Sequence, residues 1–293
     1  MSAQDSGTAD RRRQFAEEAR SERPDLALLC LLLGAEAGPV GPEEPRPVDP
    51  DHTSPDPYGI DAAQIELDRL AGLLPYGSRS PAGWASALAE LLGGRFEFGG
   101  SSGDYQRLES SLLQQVLRRR RGLPILLSVV WIEVARRAGA PVYGVALPGH
   151  FVVGFGDPEQ PVLVDPFTGG GPLTGDDADL LVTAATGSRL EPSMLTPARP
   201  LETVLRILNN IRAWAAARPE RTDVALWAVE LSLLLPSRPA RLRYERAQLL
   251  VQRGEFQRGA SEMEEYAEVL EAIEPTTAET IRRKAQAARA LLN

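Results

Sequence analysis

"RRGLPILLSVVWIEVARRAGAPVYGVALPGHFVVGF" runs from Arg120 to Phe155, and "VLVDPF" follows from Val162 to Phe167. The first half reads as a helix. Pro124 suits a first helical turn, where no backbone N–H is needed. Gly139 and Pro141 stop the helix. The body between is mostly apolar, so it should be a central helix packed on most faces. Glu133, Arg136 and Arg137 group on one side, and Glu133 is expected to meet solvent. The second half turns to strands: "VYGVAL" (Val142 to Leu147), "HFVVGF" and "VLVD" are β-branched and aromatic runs bounded by Gly, Pro and Asp.

The turn-rich "GDPEQP", Gly156 to Pro161, makes the last two strands a hairpin. If Gly154 pairs with Pro161, Val152 faces Leu163 and His150 faces Asp165. Opposed residues on one face of an antiparallel pair have Cβ atoms ~5 Å apart. A carboxylate there would orient the imidazole and stabilise its protonated form. That is the base and orienter of a catalytic triad. The same pairing also reads as a hydrogen-bonded cap on a buried hairpin end. A one-residue register slip would remove the contact.

Other residues bound the chemistry. The histidines number two, His52 and His150, and Cys30 is the single cysteine. No intramolecular disulfide can form, and a structural zinc cluster is excluded. No cofactor or metal is expected. Cys30 lies in "DLALLCLLL" and reads as a small core residue. Ser128 lies one helical turn beyond Pro124 on the same face, where its hydroxyl could point toward His150. The reading preferred for it is a core serine bonded to a carbonyl one turn back.

The chain has 293 residues and a formal net charge of -8, with a pI near 5.1. That charge argues against nucleic acid as a partner. The basic runs Arg11 to Arg13 and Arg118 to Arg121 read as solvated helix ends. No run of ~18 apolar residues exists, so no membrane span is expected. The opening "MSAQDSGTADRRR" has no apolar h-region, and a cytoplasmic location is expected.

Residues 1–10 read as a disordered tail, and a helix is expected from about Arg11 to Leu33, interrupted near Pro24. "GAEAGPVGPEEPRPVDPDHTSPDPYG", residues 34–59, reads as an exposed proline-rich loop that holds His52. A helical stripe follows at Ile60, Ile65, Leu67, Leu70 and Leu74. Ser80 and Pro81 open another helix, and Gly93-Gly94 closes it. A further helix is expected at about Leu108 to Arg119.

A helix ending "RRAGAPVYGV", then "PGHF", then "VDPF", resembles the transglutaminase-like, papain-like superfamily. The resemblance implies a cysteine opening the central helix within Gly-x-Cys, a histidine opening one strand and an aspartate ending the next. A helix N-terminus lowers a thiol pKa. Here the corresponding stretch is Gly122-Leu123-Pro124, so proline stands at the nucleophile position. The stretch from Asp104 to Phe151 is similar to the bacterial SirB branch of that superfamily. The motifs that carry this are Ser110-Ser111, Val116-Leu117, Arg120 to Ser128, Pro148-Gly149-His150-Phe151 and Asp165 to Gly170, which includes Phe167. The branch has Asn where this chain has Ser110, and it too has proline at position 124. The likeness covers about residues 25–290 outside the proline-rich loop and is strongest over 105–170.

"PARLRYERAQLLVQRGEFQRGASEMEEYAEVLEAIEP" resembles a tetratricopeptide unit, two helices with Gly254 at the turn. Ala247, Gly259, Ala260 and Met263 take its packing positions. Asn209 or Asn210, in "LNNIRAW", is expected to cap or bridge helices. The expected fold is α+β: N-terminal helices over 11–104, a transglutaminase-like core over 105–198 with its central helix on a small antiparallel sheet, and tetratricopeptide-like helices over 199–293. Two functions follow. One is a retired enzyme that binds a protein or peptide through its repeats and cleft. The other is an acyl-transfer or hydrolytic enzyme using His150 and Asp165 with Ser128 or a water. Proline at position 124 favours the first.

Overall fold

The computed structural model describes residues 3–38, 59–237 and 239–291. The proline-rich loop and His52 lie outside the described residues, except at the loop's ends. The chain divides into two compact units, Arg23–Ile207 and Met1–Glu22 with Leu208–Asn293. The stretch expected as an N-terminal helical region therefore divides at residue 22. Its larger part shares a unit with the central helix and sheet.

Helix α1 (Ala3–Glu18) starts well inside the segment expected to be a disordered tail. In the larger unit, α2 (Leu26–Ala35) opens on Asp25, whose carboxylate accepts from the Leu28 amide. It is buried along nearly its whole length, as its unbroken leucines require. Helix α3 (Ile60–Gly72) follows, then α4 (Pro81–Leu88), with Ser80 as N-cap and Pro81 at the first position. A π-helical turn, Ala89–Arg95, continues α4. Two 3₁₀ turns (Ser102–Gln106 and Leu108–Ser111) precede α5 (Leu113–Arg119), so the helix expected from Leu108 begins later. Helix α6 (Pro124–Arg137) is the central helix, buried without a break from Pro124 to Ala135.

The sheet is an antiparallel meander in the order β1 (Val142–Val145), β2 (Val152–Phe155), β3 (Val162–Asp165), β4 (Gly171–Leu173). It packs on α6. A cluster of Val145, Leu147, Val152 and Leu163 meets Ala178 and Val182 of α7 (Gly175–Thr186). The hairpin register differs from the expected one. Gly154 pairs with Leu163, two residues from Pro161, and Val153 pairs with Val164. A shift of two keeps every side chain on its expected face, because the strand period is two.

Glu133 corrects the expected solvent-facing side of α6. It is 1% exposed and pairs with Arg136 and Arg137. Burial pushes its carboxyl up, and Arg136 opposes that only in part. Cys30 of α2 is buried too, and burial followed by the nearby Glu133 charge raises its thiol pKa.

Helix α8 (Pro200–Ala216) leads into the second unit, made with α1, α9 (Thr222–Leu234), α10 (Arg241–Gln252), α11 (Phe256–Leu270) and α12 (Pro275–Ala290). Ala247, Ala260 and Met263 are buried with Tyr266, Ala278, Ile281 and Ala285 in one core. A Cβ at Gly259 would lie 2.7 Å from the Ala247 carbonyl oxygen, so α10 and α11 touch at that glycine. The structure is thus mostly helical with one small antiparallel sheet, followed by helix pairs. Asn209 accepts from Arg212 at 2.8 Å, and Arg212 also pairs with Glu245 of α10.

Candidate functional site

Between β1 and β2 the chain makes a tight turn closed by the His150 amide donating to the Leu147 carbonyl at 3.2 Å. Pro148 supplies the first central residue, and Gly149, at φ +73°, supplies the second. This is the sequence logic of a type II turn. His150 therefore sits in the turn ahead of β2 rather than opening it. A guanidinium holds the turn: Arg206 Nη2 of α8 donates to the carbonyls of Leu147 and His150, each at 2.7 Å. Burial lowers the Arg206 pKa. The same group lies 5.7 Å from the Phe151 ring centroid.

The structure brings His150 and Asp165 together. His150 Nε2 lies 3.0 Å from Asp165 Oδ2, with side chains 11% and 7% exposed. Extending the observed register places Asp165 opposite Val152, so His150 reaches it diagonally from the same face. The other carboxylate oxygen accepts from the Phe167 amide at 2.9 Å. The Asp165 carbonyl accepts from Thr168 Oγ1 and the Gly170 amide. An acceptor held this way makes Nε2 the donor nitrogen of a neutral ring and leaves Nδ1 as the acceptor. Oriented so, the imidazole can take a proton at Nδ1.

Phe167 flanks the pair. Its ring meets the His150 ring edge-on at 6.0 Å, and Tyr105 meets Phe167 at 6.1 Å. Burial, then the Asp165 charge, raises the Tyr105 pKa. Phe167 presses on Gly100 so closely that a Cβ there would lie 1.9 Å from its ring.

Pro124 is the first residue of α6 and is buried. Gly122 lies beside Val116, and the Leu123 amide donates to the Ser110 carbonyl. Ser128 is fully buried, and its hydroxyl donates to the Phe151 carbonyl at 3.2 Å. The acceptor lies on the segment after His150, not one turn back on α6. Among the described residues no hydrogen bond joins Ser128 to the imidazole. No group of His, Cys, Asp and Glu able to hold a metal ion occurs among the described residues.

Three groups escaped the sequence reading. Tyr105 and Arg206 have no local signature. Asp104 does, since Ser101-x-x-Asp104 is a capping box in which the Ser101 amide and hydroxyl both donate to Asp104 Oδ2 at 2.9 Å. Its other oxygen accepts from Ser110 at 3.1 Å, with Arg119 at 3.6 Å. Ser110 thus ties the loop before α6 to a buried carboxylate.

Residues 61–209 match the family model described as the transglutaminase-like superfamily, and residues 211–293 match a tetratricopeptide repeat model. A UPF0162 protein of Xylella fastidiosa is 34% identical over 163 residues, 54% of this chain and 58% of that protein. A UPF0162 protein of Pseudomonas aeruginosa is 38% identical over 112 residues, 38% of this chain and 41% of the relative. The chain thus spans under two thirds of the length of each of these two relatives. A crystal structure of menin covers 89% of this chain and 69% of its own at 10% identity, with a TM-score of 0.41. No helix among the described residues is long and apolar enough to cross a membrane.

Proposed function

The chain belongs to the transglutaminase-like superfamily, and from that premise we propose that it is a SirB-type member whose site has lost its nucleophile and serves protein binding. Pro124 at the start of α6 is the observation that carries the reading. It stands where the family resemblance implies a cysteine. The sole cysteine, Cys30, is buried in α2 with its thiol pKa raised. A thiolate is the reactive form, so Cys30 is no substitute. Ser128 spends its proton on the Phe151 carbonyl. His150 and Asp165 then shape a turn beside the aromatic wall of Phe167, with Pro148, Gly149 and Gly122 fixing the backbone. The tetratricopeptide match supports a protein partner, because stacked helix pairs present grooves to peptides.

The His150–Asp165 geometry favours one second reading, a hydrolase in which His150 activates a water. The two separate on one assay. The full chain is incubated with a glutamine-bearing peptide and a fluorescent primary amine, and separately with peptide substrates. The binding reading expects no incorporation and no cleavage above background. Turnover that disappears in His150→Ala would overturn it.

A further inference from the structure

We propose that the surface around Phe96 docks an acidic peptide segment of a protein partner. Three guanidinium groups surround one ring. Arg69 of α3, Arg95 at the end of the π-helical turn and Arg120 after α5 lie 5.1, 5.5 and 5.2 Å from the Phe96 centroid. Three separate elements bring these charges to one ring, in a chain whose formal net charge is -8. Of the three, Arg69 alone has a carboxylate partner among the described residues, Glu66, which it holds through two contacts. The side chains of Arg95 and Arg120 make no hydrogen bond or ion pair among the described residues.

Arg120 adds a second observation. It caps α5 in the left-handed conformation, at φ +58°, where a helix end usually carries glycine. A side chain there costs backbone strain. The conformation sets its amide on the Val116 carbonyl and its carbonyl under the Gly99 amide, and its guanidinium lies over Phe96. Arg120 is thus part of a cation cluster rather than a plain solvated helix end.

The chemistry selects the partner. Like charges gathered on one ring repel, and an incoming carboxylate removes that repulsion. Stacking against the ring holds a guanidinium plane in place, and its N–H fork fits a carboxylate in two contacts. A nucleic acid needs a long basic track to match its charge density. Here the cations surround a single ring, and Glu66 holds one of them. A short run of Asp or Glu fits that extent. The same backbone also reaches the cleft. Beyond Phe96, Gly99 bonds the Arg120 carbonyl, and the Gly100 amide donates to the Phe167 carbonyl beside His150.

The proposal rests on the binding reading only for the existence of a partner, and its test reads no turnover. Fluorescein-labelled hexaglutamate, hexaglutamine and a six-residue oligothymidylate are titrated with the full chain, read by anisotropy. Hexaglutamate should bind at least about tenfold more tightly than either other probe. Its affinity should fall as salt rises from about 0.05 to about 0.3 M. The double variant Arg95→Gln, Arg120→Gly should lose about tenfold or more. Glycine suits the backbone at position 120, so the fold should hold, and Arg95→Gln alone should give a smaller loss in the same direction. Arg13→Gln with Arg283→Gln removes the same charge elsewhere and should leave binding unchanged. Equal loss in that control, no loss in the Phe96 variants, or tighter binding of the oligonucleotide would each overturn the proposal.

Discussion

Arg206 Nη2 donates to the carbonyl oxygen of His150 at 2.7 Å, while the imidazole of the same residue meets Asp165. One residue is thus held at its backbone by a half-buried cation and at its side chain by a carboxylate. The cation also takes the Leu147 carbonyl, so both ends of the Pro148-Gly149 turn hang on one guanidinium. Removing it leaves two carbonyls without their charged donor. Arg206→Ala should lower stability by about 2–3 kcal/mol in urea unfolding. It should also speed modification of His150 by diethyl pyrocarbonate. Arg206→Lys should recover only part of each effect, because an ammonium lacks the planar fork. Unchanged stability in Arg206→Ala would refute the clamp.

Glu133 makes a pH prediction. Its folded pKa is raised, with burial the leading cause and Arg136 and Arg137 opposing it. A raised folded pKa means that the native state binds the proton more tightly than the unfolded chain. The stabilisation is then complete below the unfolded value and is lost as pH rises through the folded one. Glu133→Gln removes this titration. The native chain should therefore gain stability relative to Glu133→Gln as pH falls from neutrality toward the ordinary glutamate range. Denaturant midpoints of both proteins across that interval measure it. A gap that is flat or of opposite sign counts against a buried, raised carboxyl.

Gly149 sits at φ +73°, and a Cβ there would lie 2.6 Å from Ala185 Cβ of α7. Two penalties add, the left-handed backbone and the overlap. Gly149→Ala should cost about 2–3 kcal/mol. Thermal unfolding checks this, and a loss below about 0.5 kcal/mol would mean that the turn relaxes freely.

The helix-then-hairpin order could be read because periodicity survives local error. The count around the hairpin turn missed the register by two residues, yet His150 and Asp165 stayed on one face, since parity alone decides the face. Strand β4 could not be read, because Gly171-Pro172-Leu173 has no β-branched residue and only one large apolar side chain. The part of α1 before Arg11 was hidden by a polar composition that suits disorder as well as a solvated helix. Glu133 misled because a carboxylate near two arginines usually faces water. Here the arginines accompany it, and α2 packs on α6 and buries it. Arg206 reaches His150 from a distant helix, and no local pattern announces a contact of that kind.

The last prediction concerns the position that decides the functional reading. Pro124 opens α6, where the first turn needs no amide donor, so Pro124→Cys removes no backbone hydrogen bond. A thiol there meets the positive end of the helix dipole. If this is a retired nucleophile position, the thiol also comes within reach of His150, whose Nε2 is held by Asp165. Its pKa should then fall by about a unit or more below the ordinary value of about 8.5. The measurement is the pH dependence of iodoacetamide alkylation of Pro124→Cys, in a Cys30→Ala background. In the native chain Cys30 itself should alkylate slowly, because it is buried with a raised pKa. Adding His150→Ala to Pro124→Cys should move the thiol back toward its ordinary value by removing the imidazolium. A residual depression in that double variant reports the helix dipole alone. An ordinary thiol in Pro124→Cys, indifferent to His150, would mean that Gly122-Leu123-Pro124 does not stand at the Gly-x-Cys position. The preference for binding over catalysis would then lose its foundation.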